Sequence, residues 1–259
     1  MPTDNDRPAA PPGPDAAFWQ AKFDARATPW DRGAVNPQIE EWVSSGVLEP
    51  IQRGSGEPVG GAEEGADEGA EQGAEEGAEQ GARESSSRLT RVLVPGCGSG
   101  HEVAMLAERG FDVTGVDYAP AAVERTRERL QGLLQSKASA GVVRAQVVEA
   151  DLLAYEPVVP FDVIYEQTCL CALYPDHWRR YADRLFGWLR PGGSLLALFM
   201  QASRDGSRSG YIEGPPYHCD INGMRALFCA ERWHWPKPAY PAVRHPSGMA
   251  ELAVVLTRR

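Results

Sequence analysis

The sequence predicts an α/β fold, a mostly parallel β-sheet with helices on both faces. Three observations carry the prediction. Past Leu89, short apolar runs alternate with longer amphipathic stretches, the pattern of strands joined by crossover helices. The runs are apolar at successive positions, as strands buried on both faces require. Several end on glycine, proline or aspartate, residues that turn a chain or cap a helix. The chain has 259 residues, 42% hydrophobic and 24% charged. That length buries a substantial core, and that composition excludes a wholly disordered or fibrous protein.

Residues 1–15, rich in Pro, Ala and Asp, read as a disordered tail without an apolar leader. Residues 16–52 form a short N-terminal piece. Trp19 and Phe23 are four apart, with Phe18 beside them, which fits one face of a short helix. Thr28-Pro29-Trp30-Asp31 breaks that helix. Asn36-Pro37 then supplies a cap and a proline at the first helical position, and Ile39, Trp42 and Val43 the apolar stripe of a second helix. The piece is too small to fold alone and is expected to pack on the larger domain downstream. Residues 53–88 are expected to be a disordered acidic linker. From Gly61 they repeat a four-residue Gly-Ala-acid unit. Glycine there costs a helix about 1 kcal/mol each relative to alanine, and no large apolar side chain is available to bury.

Residues 89–259 form the main domain. Val92 to Val94 is a strand ending at Pro95-Gly96, followed by a helix with Val103, Ala104, Leu106 and Ala107 on its face. Phe111 to Val116 is a second strand, ending at Asp117. Pro120 opens a helix carrying Val123, Leu130, Leu133 and Leu134. Val142 to Val148 is a third strand, ending at Asp151, and Phe161 to Tyr165 a fourth. Asp176 starts a helix with Trp178, Tyr181, Leu185, Trp188 and Leu189. Pro191-Gly192-Gly193 turns the chain into a fifth strand, Ser194 to Met200.

Charge and cysteine content exclude several functions. The net charge is −10, but eight of the 36 acids and none of the 26 bases lie in residues 61–82, so the rest carries only −2. Nothing here grips nucleic acid electrostatically. No apolar run approaches the roughly 20 residues of a membrane helix, and a cytoplasmic location is expected. Five cysteines, at 97, 169, 171, 219 and 229, are too uneven for a disulfide framework. Cys169-x-Cys171 lacks a second pair at zinc spacing, and the five histidines show no HExxH pattern. No metal is expected.

Ligands of such sheets sit beyond the carboxyl ends of the strands. The first strand ends in Pro95-Gly96-Cys97-Gly98-Ser99-Gly100. Glycines there let the backbone turn sharply and approach a ligand, and the next helix offers free N–H groups. Asp117, 21 residues past Gly96, can accept both hydroxyl protons of a ribose. The pair points to a nucleoside-containing cofactor. A dinucleotide favours GxGxxG for its diphosphate; this turn is GxGxG, which suits S-adenosyl-L-methionine. Asp151-Leu152, at the end of the third strand, lies where the adenine edge falls in methyltransferases. A dinucleotide-binding oxidoreductase is the alternative from another class.

These residues resemble a class I S-adenosylmethionine-dependent methyltransferase, and more narrowly the thiopurine S-methyltransferase family with its thiol- and halide-methylating relatives. The resemblance rests on Phe18-Trp19 with Thr28-Pro29-Trp30-Asp31, the turn from Val94 to His101, Gly115-Val116-Asp117, Phe161-Asp162 through Cys171-Ala172-Leu173, and Gly214-Pro215-Pro216-Tyr217. It covers most of residues 16–51 and 89–217 and fades over the last forty. It implies a Rossmann-like fold, a seven-stranded sheet and an N-terminal helical lid. It also implies that Trp19 and Trp30 pack on the cofactor, with Phe23 where many relatives have a second lid tryptophan. Aromatic faces attract a cationic sulfonium by about 0.5–2 kcal/mol each.

By the same resemblance the cofactor is S-adenosyl-L-methionine, held by Trp19, Trp30, Gly96, Gly98, Asp117, Asp151, Leu152, Glu166 and Gln167. Phe23 and Tyr217 line the acceptor pocket, and Pro215 and Pro216 only fix a turn. Glu166-Gln167 departs from the acid–tyrosine pair common in halide-methylating relatives, which argues against a halide acceptor. The expected partner is a small-molecule methyl acceptor, most of all a thiol, with oxygen or nitrogen acceptors as the alternative, and the protein is expected to be a monomer. No catalytic base is named: His101 reads as a residue of the helix cap region, and no His/Asp dyad is visible.

Overall fold

A computed structural model describes residues 13–50, 89–136, 143–204 and 212–259. The tail expected at 1–15, apart from its last three residues, and the linker expected at 53–88 lie outside the described residues.

Helix α1 (Ala16–Asp24) starts at Asp15, whose carboxylate accepts the Phe18 N–H. Helix α2 (Pro37–Ser44) has the expected cap: the Asn36 side chain accepts the Gln38 N–H, and Pro37 needs no partner for a missing N–H. The main domain then runs β1 (Arg91–Pro95), α3 (His101–Glu108), β2 (Asp112–Asp117), α4 (Pro120–Ser136), β3 (Arg144–Glu149) and β4 (Phe161–Gln167). It continues with α5 (Trp178–Trp188), β5 (Leu189–Gln201), α6 (Ile221–Leu227), β6 (Trp233–His234), β7 (Ala242–Arg244) and β8 (Ala250–Arg258).

The strands form one sheet in the order β3-β2-β1-β4-β5-β8-β6, with β7 also on β8. The first five are parallel and β8 is antiparallel to β5. Eight strands stand where seven were expected. Strands β6 and β7 occupy opposite ends of the same edge of β8, pairing Trp233 with Arg258 and Ala242 with Leu252. Between them lie Pro236, Pro238 and Pro241, which have no N–H for a ladder and split one edge strand into two.

Both faces of the central strands are buried, which explains their unbroken apolar runs. Val92 and Val94 of β1 and Leu196 and Leu198 of β5 share one core with Ile39 and Trp42 of α2 and Val103 and Leu106 of α3. Leu93, Leu195, Ala197 and Phe199 point the other way, into a core with Tyr181, Leu185 and Trp188 of α5. Strand period two thus supplies both layers. Fully burying one such side chain contributes about 1.5–3 kcal/mol.

Two boundaries differ from expectation. Leu189, read as the end of a helix, is the first residue of β5. Pro191-Gly192-Gly193 does not precede that strand but bulges within it: β4 pairs Phe161 with Leu189 and then Val163 with Ser194. The positive φ of Gly192 permits the bulge.

Candidate active site

A cavity of about 550 Å³ opens over the carboxyl ends of β1, β2, β4 and β5, beneath the N-terminal helical segment. One side is the glycine turn after β1. Gly96 (φ 61°) and Gly98 (φ 54°) are left-handed, a conformation that side chains other than glycine's rarely adopt. A Cβ on Gly96 would lie 3.1 Å from the Cβ of Cys169. The turn is tied to Asp117 at the end of β2, whose carboxylate accepts the Gly98 N–H and the Ala119 N–H, both at 3.0 Å. Asp117 is only 8% exposed, and burial pushes its pKa up. Two accepted bonds leave further lone pairs on the carboxylate. Asp151 holds its own turn by accepting the Leu153 N–H at 2.8 Å, and Asp151 and Leu152 line the same side.

The roof is aromatic. Trp19 and Trp30 meet edge to face with centroids 5.2 Å apart, and Phe23 and Trp30 do so at 6.0 Å. All three line the cavity. The roof is fastened to α4: Ala121 N–H donates to the Gln20 side chain at 3.0 Å, Arg125 donates to the Phe23 carbonyl at 2.8 Å, and Phe23 packs on Ala119 and Ala122. Phe23, expected in the acceptor pocket, lines this cavity close to the glycine turn. Its ring lies about 4 Å from where a Cβ on Gly98 would stand, over the glycine turn.

A second fastening was not legible in the sequence. Asp31, at the end of the Thr28-Pro29-Trp30-Asp31 motif, accepts the Ser99 hydroxyl at 2.6 Å and the Gly33 N–H at 2.8 Å, and stands 3.2 Å from His101 Nε2. The hydrogen bond to His101, more than any other contact, holds the Asp31 carboxyl well below the usual range. Sequence reasoning saw no His/Asp pair because the partners are 70 residues apart; here they join the roof to the glycine turn.

Strand β4 exits through Thr168, a β-branched residue at φ 61°. Such strain persists only where the surroundings hold it, and it clusters at functional sites. Gln167 and Thr168 line the cavity, and Gln167 Oε1 accepts the Tyr165 hydroxyl at 2.8 Å. Glu166, expected among the cofactor ligands, does not line it. Successive strand residues face opposite ways, and Glu166 turns under the β4 exit, where it accepts the Leu170 N–H at 2.6 Å. It is 1% exposed, and burial raises its pKa to about 7.

Tyr217 is a further correction. Its ring packs against Gly214, where a Cβ would come within 2.4 Å, and against Tyr174 with centroids 5.7 Å apart. Its N–H donates to the Cys171 carbonyl at 2.7 Å. The side chain is thus a brace behind the loop, while Gly214, Pro215 and Pro216 face the cavity. The remaining wall comes from the turn between β7 and β8: His245, Ser247 and Met249, with Arg32 reaching across from the N-terminal segment. These lie where the sequence held no recognisable motif. Among the described residues no group of three or more His, Cys, Asp and Glu is placed to hold a metal ion.

The arrangement suits an adenosyl sulfonium: a buried carboxylate with acceptor capacity to spare, a turn open to close approach, and aromatic faces above. Comparison with known proteins agrees. Residues 80–243 match the family described as thiopurine S-methyltransferase. A probable thiol methyltransferase 2 from Arabidopsis thaliana is 29% identical over 204 residues, 79% of this chain and 68% of that protein. A thiopurine S-methyltransferase from Legionella pneumophila is 27% identical over 135 residues, 49% of this chain and 58% of that one. Among solved structures, a Burkholderia thailandensis 1,6-didemethyltoxoflavin-N1-methyltransferase with bound S-adenosylhomocysteine superposes with TM-score 0.60 at 18% identity, covering 98% of this chain and 92% of that one. A magnesium protoporphyrin IX methyltransferase from Synechocystis gives TM-score 0.60 at 14% identity, covering 95% and 100%. These two likenesses speak for the fold, while the family match spans more than half of the residues. The chain belongs to the thiopurine S-methyltransferase family and is an S-adenosyl-L-methionine-dependent methyltransferase.

Proposed function

We propose that the enzyme methylates the sulfur of a small-molecule thiol or a similarly soft nucleophile. The observation that carries this is the state of the ionisable groups around the cavity. Asp31 and His101 are spent on each other. Glu166 faces away, and His245 is held to a pKa of about 4 by burial and then by the charge of Arg32. Of the other acids that line the cavity, Glu102 accepts the Asn36 N–H, Asp117 the Gly98 and Ala119 N–H groups and Asp151 the Leu153 N–H, so each is engaged in holding backbone. Phenols and amines need a base, whereas a thiol reaches its reactive thiolate largely by its own acidity. The names of the thiol and thiopurine relatives support the same reading.

S-adenosyl-L-methionine, when bound, supplies a methyl group on an already activated sulfonium. The protein's residues then align and desolvate the reactants. In this reading Asp117 accepts the ribose hydroxyls, Gly96 and Gly98 allow close approach, Asp151 and Leu152 border the adenine, and Trp19 and Trp30 face the positive charge. Gln167 stands between the cofactor side and the acceptor side. Pro215 and Pro216 wall the acceptor. The monomeric, cytoplasmic setting belongs to the proposal too. Five free cysteines suit a reducing compartment, and among the described residues no helix is long and apolar enough to cross a membrane.

The test is transfer of labelled methyl from S-adenosyl-L-methionine across thiol, phenol and amine panels. Turnover of thiols is expected. Turnover of phenols or amines with none of thiols would overturn the sulfur reading.

A further inference from the structure

The end of the cavity away from Asp117 holds donors that no described protein group uses. Arg32 Nη2 donates to the Arg244 carbonyl and stands 3.7 Å from Glu251 Oε2, but its buried Nε–H has no partner among the described residues. His245 follows Arg244. The Ser247 N–H donates to His245 Nδ1 at 3.2 Å, which assigns the lone pair to Nδ1 and the ring proton to Nε2. That Nε2–H is buried and unpartnered as well. His245 is 3% exposed, and both it and Arg32 line the cavity. Buried donors are almost always satisfied, so two at one cavity wall point to an acceptor that arrives with a ligand.

The charge balance favours an anion. Glu251, beneath Arg32, is fully buried, and burial raises its pKa to about 8. Burial thus opposes the charge on Glu251 that would compensate Arg32. The sheet order separates the His245 end of this wall from the glycine turn: strand β8 lies three strands from β1, roughly 14 Å at ordinary strand spacing. The Arg32 side chain reaches that end from beside Asp31, which bonds Ser99 of the turn, so the subsite faces the cavity across β4 and β5 from the turn's far side.

We propose that Arg32 and His245 form a recognition subsite for a carboxylate carried by the methyl acceptor a short distance from its nucleophilic atom. The preferred substrates are then small acidic thiols. The choice of acceptor atom rests on the proposed thiol reading; the subsite itself does not. In the full-length enzyme loaded with S-adenosylhomocysteine, propionate, which has no sulfur to methylate, probes the subsite by calorimetric titration. Turnover of 3-mercaptopropionate against 1-propanethiol probes its effect on catalysis.

The expected results are propionate binding to the loaded enzyme and a preference for 3-mercaptopropionate that appears mainly in KM. Arg32→Gln and, separately, His245→Phe are each expected to lower that preference and propionate affinity tenfold or more, with S-adenosylhomocysteine affinity held within twofold. His245→Phe keeps a flat ring should Arg32→Gln fail to fold. Equal losses on both thiols in a folded variant would mark a merely structural role and overturn the proposal. So would weaker S-adenosylhomocysteine binding with the preference intact, which would assign the donors to the cofactor's own carboxylate. If no thiol is methylated, the sulfur reading falls, and the propionate titration alone still decides the subsite.

Discussion

Asp31→Asn offers a direct test of how the aromatic roof is held shut. The roof is part of a segment whose hydrophobic docking is separate from Asp31: Phe23 is 4% exposed, Ile39 fully buried and Trp42 6% exposed. The substitution should therefore leave the fold intact. It replaces a carboxylate that bonds Ser99 at 2.6 Å and stands 3.2 Å from His101 by a neutral amide. A hydrogen bond to a charged group contributes about 1.5–3 kcal/mol. Asparagine keeps one acceptor, and water screens a side chain 19% exposed, so a loss of about 1–2 kcal/mol is the reasonable figure. A ligand that binds only beneath a closed roof carries that whole loss. Its dissociation constant then rises roughly 5- to 30-fold. Tryptophan fluorescence during titration with S-adenosylhomocysteine measures it, because Trp19 and Trp30 are the reporters. Limited proteolysis should show earlier cleavage between residues 24 and 36. An affinity within twofold of the parent, in a protein with an unchanged melting curve, would refute the fastening role, as would zero coupling in a double-mutant cycle with His101→Asn.

Other outcomes are expected from the same geometry. Asp117→Ala removes the acceptor proposed for the ribose and should weaken S-adenosylhomocysteine on the order of 2 kcal/mol; an unchanged affinity would separate Asp117 from the cofactor. Glu166 and Glu251 are raised by burial from the usual 4.5 to about 7 and about 8, so the native protein keeps protons that the unfolded chain has released above pH 4.5. Their effect on stability is therefore unfavourable as pH rises through 5 to 8. The urea midpoint should fall across that range, and the Glu166→Gln, Glu251→Gln double variant should flatten the fall; a parent midpoint that rises with pH would contradict the assignment. Deleting residues 60–82 should leave S-adenosylhomocysteine affinity unchanged, checked by the same titration, since the cavity is built from residues on either side of that stretch.

Local chemistry was legible in the sequence wherever a short pattern decides the backbone. Apolar runs with intervening helical periodicity marked the sheet, Asn36-Pro37 marked the start of α2, and the glycines at 96 and 98 marked the turn beneath Asp117. Each of these depends on neighbours a few residues away. The brace role of Tyr217, the downward turn of Glu166 and the split of the edge strand into β6 and β7 depend on which way a side chain or N–H points at one position, and a one-residue change in strand phase reverses that.

Turn chemistry and hydrophobic period act along the chain, so the fold class and the glycine turn joined to Asp117 were readable from the residues alone. The fastening of Asp31 to Ser99 and His101 and the meeting of Arg32 with His245 and Glu251 emerge from the three-dimensional arrangement. Those partners are 68 to more than 200 residues apart. What unites them is the strand order, which sets β8 beside β5 and carries the last turn of the chain back to the N-terminal segment.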